Sequence, residues 1–371
     1  MSTEPAAPPR IGIELAGSVL PPLVALAIAA VVGDLLILSF GEAPGAVFRL
    51  LVEGTWGNAY GIGQVLYKTT TLVCTGLAFA LASRAGLFNV GAEGQLAAGG
   101  FGAAVVGMML PVGTPALLAV PLCLLAAMLV GAGVGAVPGA LRARFGASEV
   151  IVTIMLNFIV LAFLNWIVSA KLHVPETLHT PPIVAGMMPR FADLIAAFRG
   201  SAANFTIVFA VLAAVVSWWY LFRTRSGYAL RAVGLQPDAA EYGGVRVPRV
   251  LLVTMCLSGA LAGLGGMNFV LGYKGYYEEG FAGGAGFLGI AVALVGRNHP
   301  FGILGAALLF ATLSQGGLAV NAVVPKQLTD ILTAVVILAV ATTVPEVQTQ
   351  LRAAAANVTA AFYRDARKGV S

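Results

Sequence analysis

Ten stretches of this chain are almost continuously apolar, and polar residues gather in the intervals between them. The stretches run over residues 19–40, 62–82, 88–110, 116–140, 150–170, 204–222, 250–272, 282–296, 301–320 and 327–344. A helix rises ~1.5 Å per residue, so about 20 apolar residues cross a hydrocarbon core of about 30 Å. Runs of this length without period-two alternation predict helices rather than strands. The eighth stretch, 282–296, is short at about 15 residues. The expected fold is an all-α polytopic membrane protein with about ten transmembrane helices.

The membrane domain is expected over residues 19–344, between an N-terminal tail, 1–18, and a C-terminal tail, 345–371. No small-x-small cleavage site follows the first apolar stretch, so it reads as an uncleaved span. Two glycine-rich interruptions lie beside polar residues, at 86–102 and 280–289. Non-helical backbone at membrane depth is tolerated where it is buried in protein or lines a cavity. One such break in each half predicts broken helices and two inverted repeats. Gly131, Gly135 and Gly139 recur every four residues, as do Gly259 and Gly263. Small residues at that spacing predict close helix crossings.

Composition agrees with this picture. Of 371 residues, 59% are hydrophobic and 10% charged, against about 25% charged in soluble domains. That excludes a soluble enzyme, a disordered chain and a nucleic-acid binder, and makes membrane lipid the surrounding partner. Cys74, Cys123 and Cys256 all lie in apolar runs and suggest neither a disulfide framework nor a metal site. Charge position is more telling than net charge. With the N-terminus in the cytoplasm, 14 of the 21 basic residues fall inside, six outside and Lys68 within a span. The positive-inside rule therefore predicts both termini to be cytoplasmic.

Two intervals are long. The outer one, 171–203, carries four prolines and an amphipathic stretch, 190–199, suited to the membrane surface. The inner one, 223–249, holds five of the 16 arginines. It reads as two short helices, 227–233 stopped by Gly234, then 237–242 with Pro237 at its first position and Gly243 after its end. Caps at both ends predict a shaped docking hairpin rather than a lipid-facing linker.

Candidate chemistry rests on the few polar residues inside spans. Asn89 and Glu93 are four apart and share a helix face, with Phe88 and Gln95 on a neighbouring one. An ionisable group such as Glu93 at that depth is a functional-site hypothesis. Its alternative is a carboxylate held by helix N-terminal amides or packed against a polar neighbour. Thr153 and Asn157 share a face, Asn165 follows two turns on, and Asn268 and Gln315 add amides in the second half. With Phe88, Phe158 and Trp166 these form a candidate translocation path for a neutral, hydrogen-bonding solute. No catalytic cluster and no metal-ligand spacing is visible, and no Gly-Lys dipeptide exists to form a Walker A loop. The chain is expected to be no enzyme and to bind no cofactor of its own.

Three strings then suggest a family. Gly86-Leu-Phe-Asn-Val-Gly-Ala-Glu-Gly-Gln95, Ser148-Glu-Val-Ile-Val-Thr-Ile-Met-Leu-Asn-Phe158 and Leu230-Arg-Ala-Val-Gly-Leu-Gln-Pro-Asp-Ala-Ala-Glu-Tyr-Gly243 occur in that order. Together they resemble permease subunits of ABC importers of the branched-chain amino-acid, ribose and nucleoside superfamily, the simple-sugar/nucleoside branch above all. The resemblance covers about residues 69–344. It implies a multi-pass subunit of the bacterial cell (inner) membrane, paired with a second related permease. A cytoplasmic ABC ATPase, usually a fused double cassette, would bind and hydrolyse the ATP. A substrate-binding protein would deliver solute on the outer side. By the same resemblance Arg231, Ala232, Gly234, Pro237, Asp238, Ala239, Ala240, Glu241 and Gly243 form the element that couples to the ATPase. Asn89, Glu93, Gln95 and Asn157 match motif positions beside the path. The expected function is ATP-driven import of a nucleoside by alternating access. The alternatives are a ribose-like sugar, or an ion-coupled secondary transporter using Glu93.

Overall fold

A computed structural model describes residue 27 and residues 30–341; the expected tails 1–18 and 345–371 lie outside the described residues. Among the described residues the chain is helical, with no strand and two isolated β-bridges. The described residues divide into two units, one of residues up to 48 with 320–341 and one of residues 49–319. The smaller holds α1 (Ala30–Ser39) and α14 (Lys326–Ala341), and α2 (Pro44–Thr55) begins in it. The larger holds α3 (Ala59–Ser83), α4 (Ala92–Met109), α5 (Ala116–Phe145), α6 (Glu149–Ile167), α7 (Phe191–Leu194) and α8 (Thr206–Arg223). It continues through α9 (Arg225–Leu235), α10 (Pro237–Tyr242), α11 (Val247–Phe269), α12 (Ala285–Val295) and α13 (Pro300–Val320).

Each of the ten apolar stretches carries a helix, but they are not ten equivalent crossings. Among the described residues six helices are long and apolar enough to cross a membrane, or seven if α1 and α2, bent by 112°, form one span. Glu93 and Gln95 open the 18-residue α4 with polar groups, and α12 has only 11 residues. The chain is a multi-pass membrane protein, and α4, α12 and the 16-residue α14 are shorter or more polar than those six helices. Helix α2 was not foreseen from the apolar pattern. It carries the ion pair Arg49–Glu53, 2.7 Å apart and one turn along the helix.

The buried centre is formed by α3, α4 and α11, while α5, α6 and α8 present apolar outer faces. The glycine spacing is realised where α5 meets α11. A Cβ on Gly131 would fall 2.9 Å from Gly263 Cα and onto the Gly259 carbonyl; one on Gly135 would meet the Met255 carbonyl. The two backbones touch with no side chain between them. Both α6 and α11 end in a π-helical turn, Val168–Leu172 and Val270–Lys274. The long interval after α6 then folds back on the chain beyond α11. Thr180 N–H donates to the Tyr277 carbonyl (2.9 Å), Ile183 N–H to Gly275 (2.7 Å) and Met188 N–H to Leu271 (2.8 Å). Stretch 190–199 is not one amphipathic helix: α7 lasts four residues and a 3-10 turn, Ala196–Phe198, follows. Phe191 N–H donates to the Ala203 carbonyl, and its ring packs on Phe198 and Phe205.

Candidate functional site

After α3 the chain leaves helical geometry, and residues 84–91 approach α4 as a turn and an extended segment. The break expected over 86–102 is confined to its first six residues, since α4 runs unbroken through Gly102. Amides from three elements hold this approach. Asn89 Oδ1 accepts the Gly91 N–H (2.9 Å), and its Nδ2 donates to Gln95 Oε1 (2.9 Å) and Ser258 Oγ (2.7 Å). On α6, Asn157 Oδ1 accepts the Gly94 N–H and its Nδ2 donates to the Val90 carbonyl, both at 2.9 Å. The N-cap of α4 is Gly91, which has no side chain to offer. Asn157 therefore supplies from a neighbouring helix the acceptor that a first-turn N–H needs. Thr153, one turn earlier, bonds back to the Glu149 carbonyl of its own helix (2.7 Å).

Glu93 ties α4 to α12. It is buried, and its carboxylate accepts the Gly284 N–H (2.8 Å) and the Gly286 N–H (2.7 Å). These donors open α12, where a negative charge is favoured by the unsatisfied amides of a helix N-terminus. The Glu93 carboxylate is thus held by the amides of a helix N-terminus. Gly286 makes the approach possible, because a Cβ there would fall on the Glu93 backbone nitrogen.

The segment that receives Glu93 also walls a cavity of about 280 Å³, lined by Gly283, Gly284, Ala285, Tyr67, Lys68, Thr71, Phe269, Phe281 and Ser314 among others. Phe269 and Phe281 stack with ring centroids 4.8 Å apart. Lys68 Nζ donates to Ser314 Oγ at 3.0 Å. Thr71 Oγ1 accepts from Asn268 Nδ2 (2.9 Å), whose Oδ1 takes bonds from Asn204 and Thr206. Asn268 thus stands behind the cavity wall and fixes it. The volume approaches the ~300 Å³ at which small-molecule pockets begin. Flat rings and a few hydroxyl and ammonium groups suit a planar solute that carries hydroxyls.

Most residues expected along the path are therefore brought together as ties. Asn89, Gln95, Asn157 and Asn268 are buried with their amides engaged inside the protein, and Gln315 is buried on α13. Phe88 packs edge-on against Phe79 and is partly exposed, while Phe158 and Trp166 point away from the helix bundle. The cavity's own Tyr67, Phe269, Phe281 and Ser314 were not singled out, because such residues look ordinary in a span. The glycine-rich interruption at 280–289 was the signal, since Gly283 and Gly284 form one wall. Among the described residues no cluster of His, Cys, Asp or Glu is arranged to hold a metal ion.

The hairpin lies at the end of α8. Thr224 caps α9 by accepting the Gly227 N–H (3.0 Å), and α10 starts with Pro237 as expected. Gly234 does not stop α9, which runs on to Leu235. It is instead a point of close approach: a Cβ on Gly234 would fall on the Arg84 carbonyl, and Gly86, at φ +73°, lies against it. Arg231 and Arg84 both lie over one ring, that of Phe222, at 5.2 and 5.7 Å from its centroid. Burial, and then the charge of Arg84, push the nearby His299 pKa down. On the far side, Pro237, Asp238, Ala239, Glu241, Tyr242 and Gly243 are exposed, Tyr242 by 96%, with Leu235 beside them. Ala240 is buried, and Arg231 and Ala232 are half-buried.

The family described as the branched-chain amino acid transport system / permease component matches residues 61–341. The chain is 37% identical over 330 residues to the nucleoside ABC transporter permease protein NupB of Lactococcus lactis, covering 87% of this chain and 90% of that one. It is 37% identical over 333 residues to the guanosine ABC transporter permease protein NupP of Bacillus subtilis, covering 86% and 92%. To the glucose ABC transporter permease protein TsgB13 of Haloferax volcanii it is 32% identical, with 85% of each chain covered.

Proposed function

Because the chain belongs to the branched-chain amino acid transport system permease family, we propose that it is the membrane subunit of an ATP-driven importer for nucleosides. The observation that carries this reading is the 37% identity, over about nine tenths of their length, to permeases named for nucleosides and guanosine. The cavity supports it. Stacked Phe269 and Phe281 offer a face to a flat base, and Lys68, Thr71 and Ser314 offer partners to ribose hydroxyls. The glucose permease relative keeps a sugar as the second reading. In this proposal the subunit sits in a bacterial inner membrane with both termini cytoplasmic. A second related permease completes the pore, a substrate-binding protein delivers solute, and a fused double-cassette ATPase binds ATP.

The hairpin is proposed to take the ATPase's motion to the cavity through contiguous backbone. Gly234 bears on Arg84, residues 84–91 lead to α4, and Glu93 grips Gly284 and Gly286 beside the cavity wall. Asn89, Gln95, Asn157 and Thr153 would keep that linkage stiff, with Asn268, Gln315 and Phe88 as its flanks. A shift of α9 would then tilt the cavity wall, giving the two states different affinities for solute.

Labelled nucleoside uptake, with and without this chain, tests the substrate. Uptake should depend on the chain and be competed by uridine or guanosine; competition by ribose alone would replace the nucleoside with a sugar. The docking face is tested separately. Glu241→Arg with Tyr242→Asp should weaken ATPase binding by about thirtyfold, the effect of one interface hot spot of ~2 kcal/mol. Both side chains are exposed, so the chain's own thermal stability should stay as it was. Unchanged ATPase assembly would remove the hairpin from the interface. Gly234 is a poor probe, because any side chain there collides with Arg84.

A further inference from the structure

A groove of about 590 Å³, separate from the cavity, lies between α8–α9 and the start of α11. Its floor is a stripe on α11: Val250, Val253, Thr254 and Leu257, spaced three and four residues apart, with Tyr220 of α8 opposite. Arg246 and Arg249 stand at its mouth, both exposed and neither ion-paired with a carboxylate among the described residues. Helix stability does not explain them. Cations at a helix N-terminus are unfavourable, and the first turn of α11 carries no acidic residue to offset them. The groove therefore combines an apolar bed about two helical turns long with a doubly positive rim, at the polar end of two membrane-spanning helices.

We propose that this groove binds an anionic phospholipid. One acyl chain would lie along Val250, Val253 and Leu257, and the phosphate would sit between Arg246 and Arg249. Charge complementarity selects the occupant: an anionic headgroup fixed to an apolar tail satisfies both the rim and the floor, whereas free phosphate satisfies only the rim. Such a lipid would also brace α9 against α11, next to the hairpin. The proposal rests on the chain being a multi-pass membrane protein and not on the solute it carries.

Native mass spectrometry of the full-length chain, released from nanodiscs of mixed phosphatidylglycerol and phosphatidylcholine, reads the groove directly. Retained phosphatidylglycerol should exceed phosphatidylcholine by about thirtyfold, as expected for two arginines at a lipid surface. Arg246→Gln with Arg249→Gln should bring the ratio to about one. Val253→Trp, which keeps both charges and fills the floor, should lower retention of either lipid. Inorganic phosphate at millimolar concentration should not displace the lipid. Equal retention of both lipids by the wild type would overturn the proposal, as would a ratio unmoved by the arginine changes. Displacement by phosphate alone would show a simple anion site, and displacement by the ATPase subunit would show a protein interface instead. Thermal unfolding of each variant in detergent separates loss of lipid from loss of fold: a variant with wild-type stability and wild-type retention counts against the groove.

Discussion

Glu93→Ala should abolish uptake and sharply lower the thermal stability of the purified protein. The change removes the acceptor from two backbone donors, the half-buried Gly284 N–H and the buried Gly286 N–H. Stranding the buried Gly286 donor costs about 1–3 kcal/mol, and the half-buried Gly284 donor adds a smaller cost. Together these are a sizeable share of the ~5–15 kcal/mol that holds an ordinary domain together. Glu93→Gln should fall between, since one amide oxygen can still accept while the NH2 faces the second donor. Two measurements give the result its meaning. Wild-type stability and uptake in Glu93→Ala would mean that α4 and α12 do not depend on this tie. Wild-type stability with uptake lost would move Glu93 from a structural role to one felt by the solute.

Gly135→Leu should prevent the membrane core from assembling, whereas Gly133→Leu should be tolerated. The two glycines are two residues apart on α5, so propensity, depth and composition are nearly the same for both. A Cβ on Gly135 would meet the Met255 carbonyl and come within 3.2 Å of Gly259 Cα; one on Gly133 meets nothing within 4 Å. Overpacking a well-packed core costs about 1–3 kcal/mol when side chains can shift. Here the opposing atoms are backbone, so α5 and α11 must separate as whole helices. The expected readout is loss of the monodisperse detergent-solubilised species for Gly135→Leu only. Similar behaviour of the two variants would mean that the seam between α5 and α11 is not what holds the core.

What the sequence made legible were features with a local or periodic signature. Apolar runs placed the helices, four-residue glycine spacing anticipated the α5–α11 seam, and Pro237 marked the start of α10. Glycine-rich interruptions located both irregular segments. What was hidden depended on distant partners. Gly234 looked like a helix stop because only the folded chain brings the Arg84 carbonyl against it. Nothing local in the sequence reveals that Gln95, Ser258 and the start of α4 engage the amides of Asn89 and Asn157. Among the described residues six or seven helices have the length and apolarity of a span, and hydropathy alone does not separate α4 and α12 from these.

The sparse polarity of the cavity has a consequence for timing. On the proposed reading, a nucleoside between Phe269, Phe281, Lys68, Thr71 and Ser314 gains ring contacts and a few hydrogen bonds of about 1 kcal/mol each, the one to the Lys68 ammonium being somewhat stronger. That supports millimolar affinity, about 4 kcal/mol of binding free energy. With ordinary association rates of about 10⁵–10⁷ M⁻¹s⁻¹, such a solute departs within about 0.1–10 ms. Passengers would thus leave almost as soon as an exit opened, and throughput would be governed by how often the helices move.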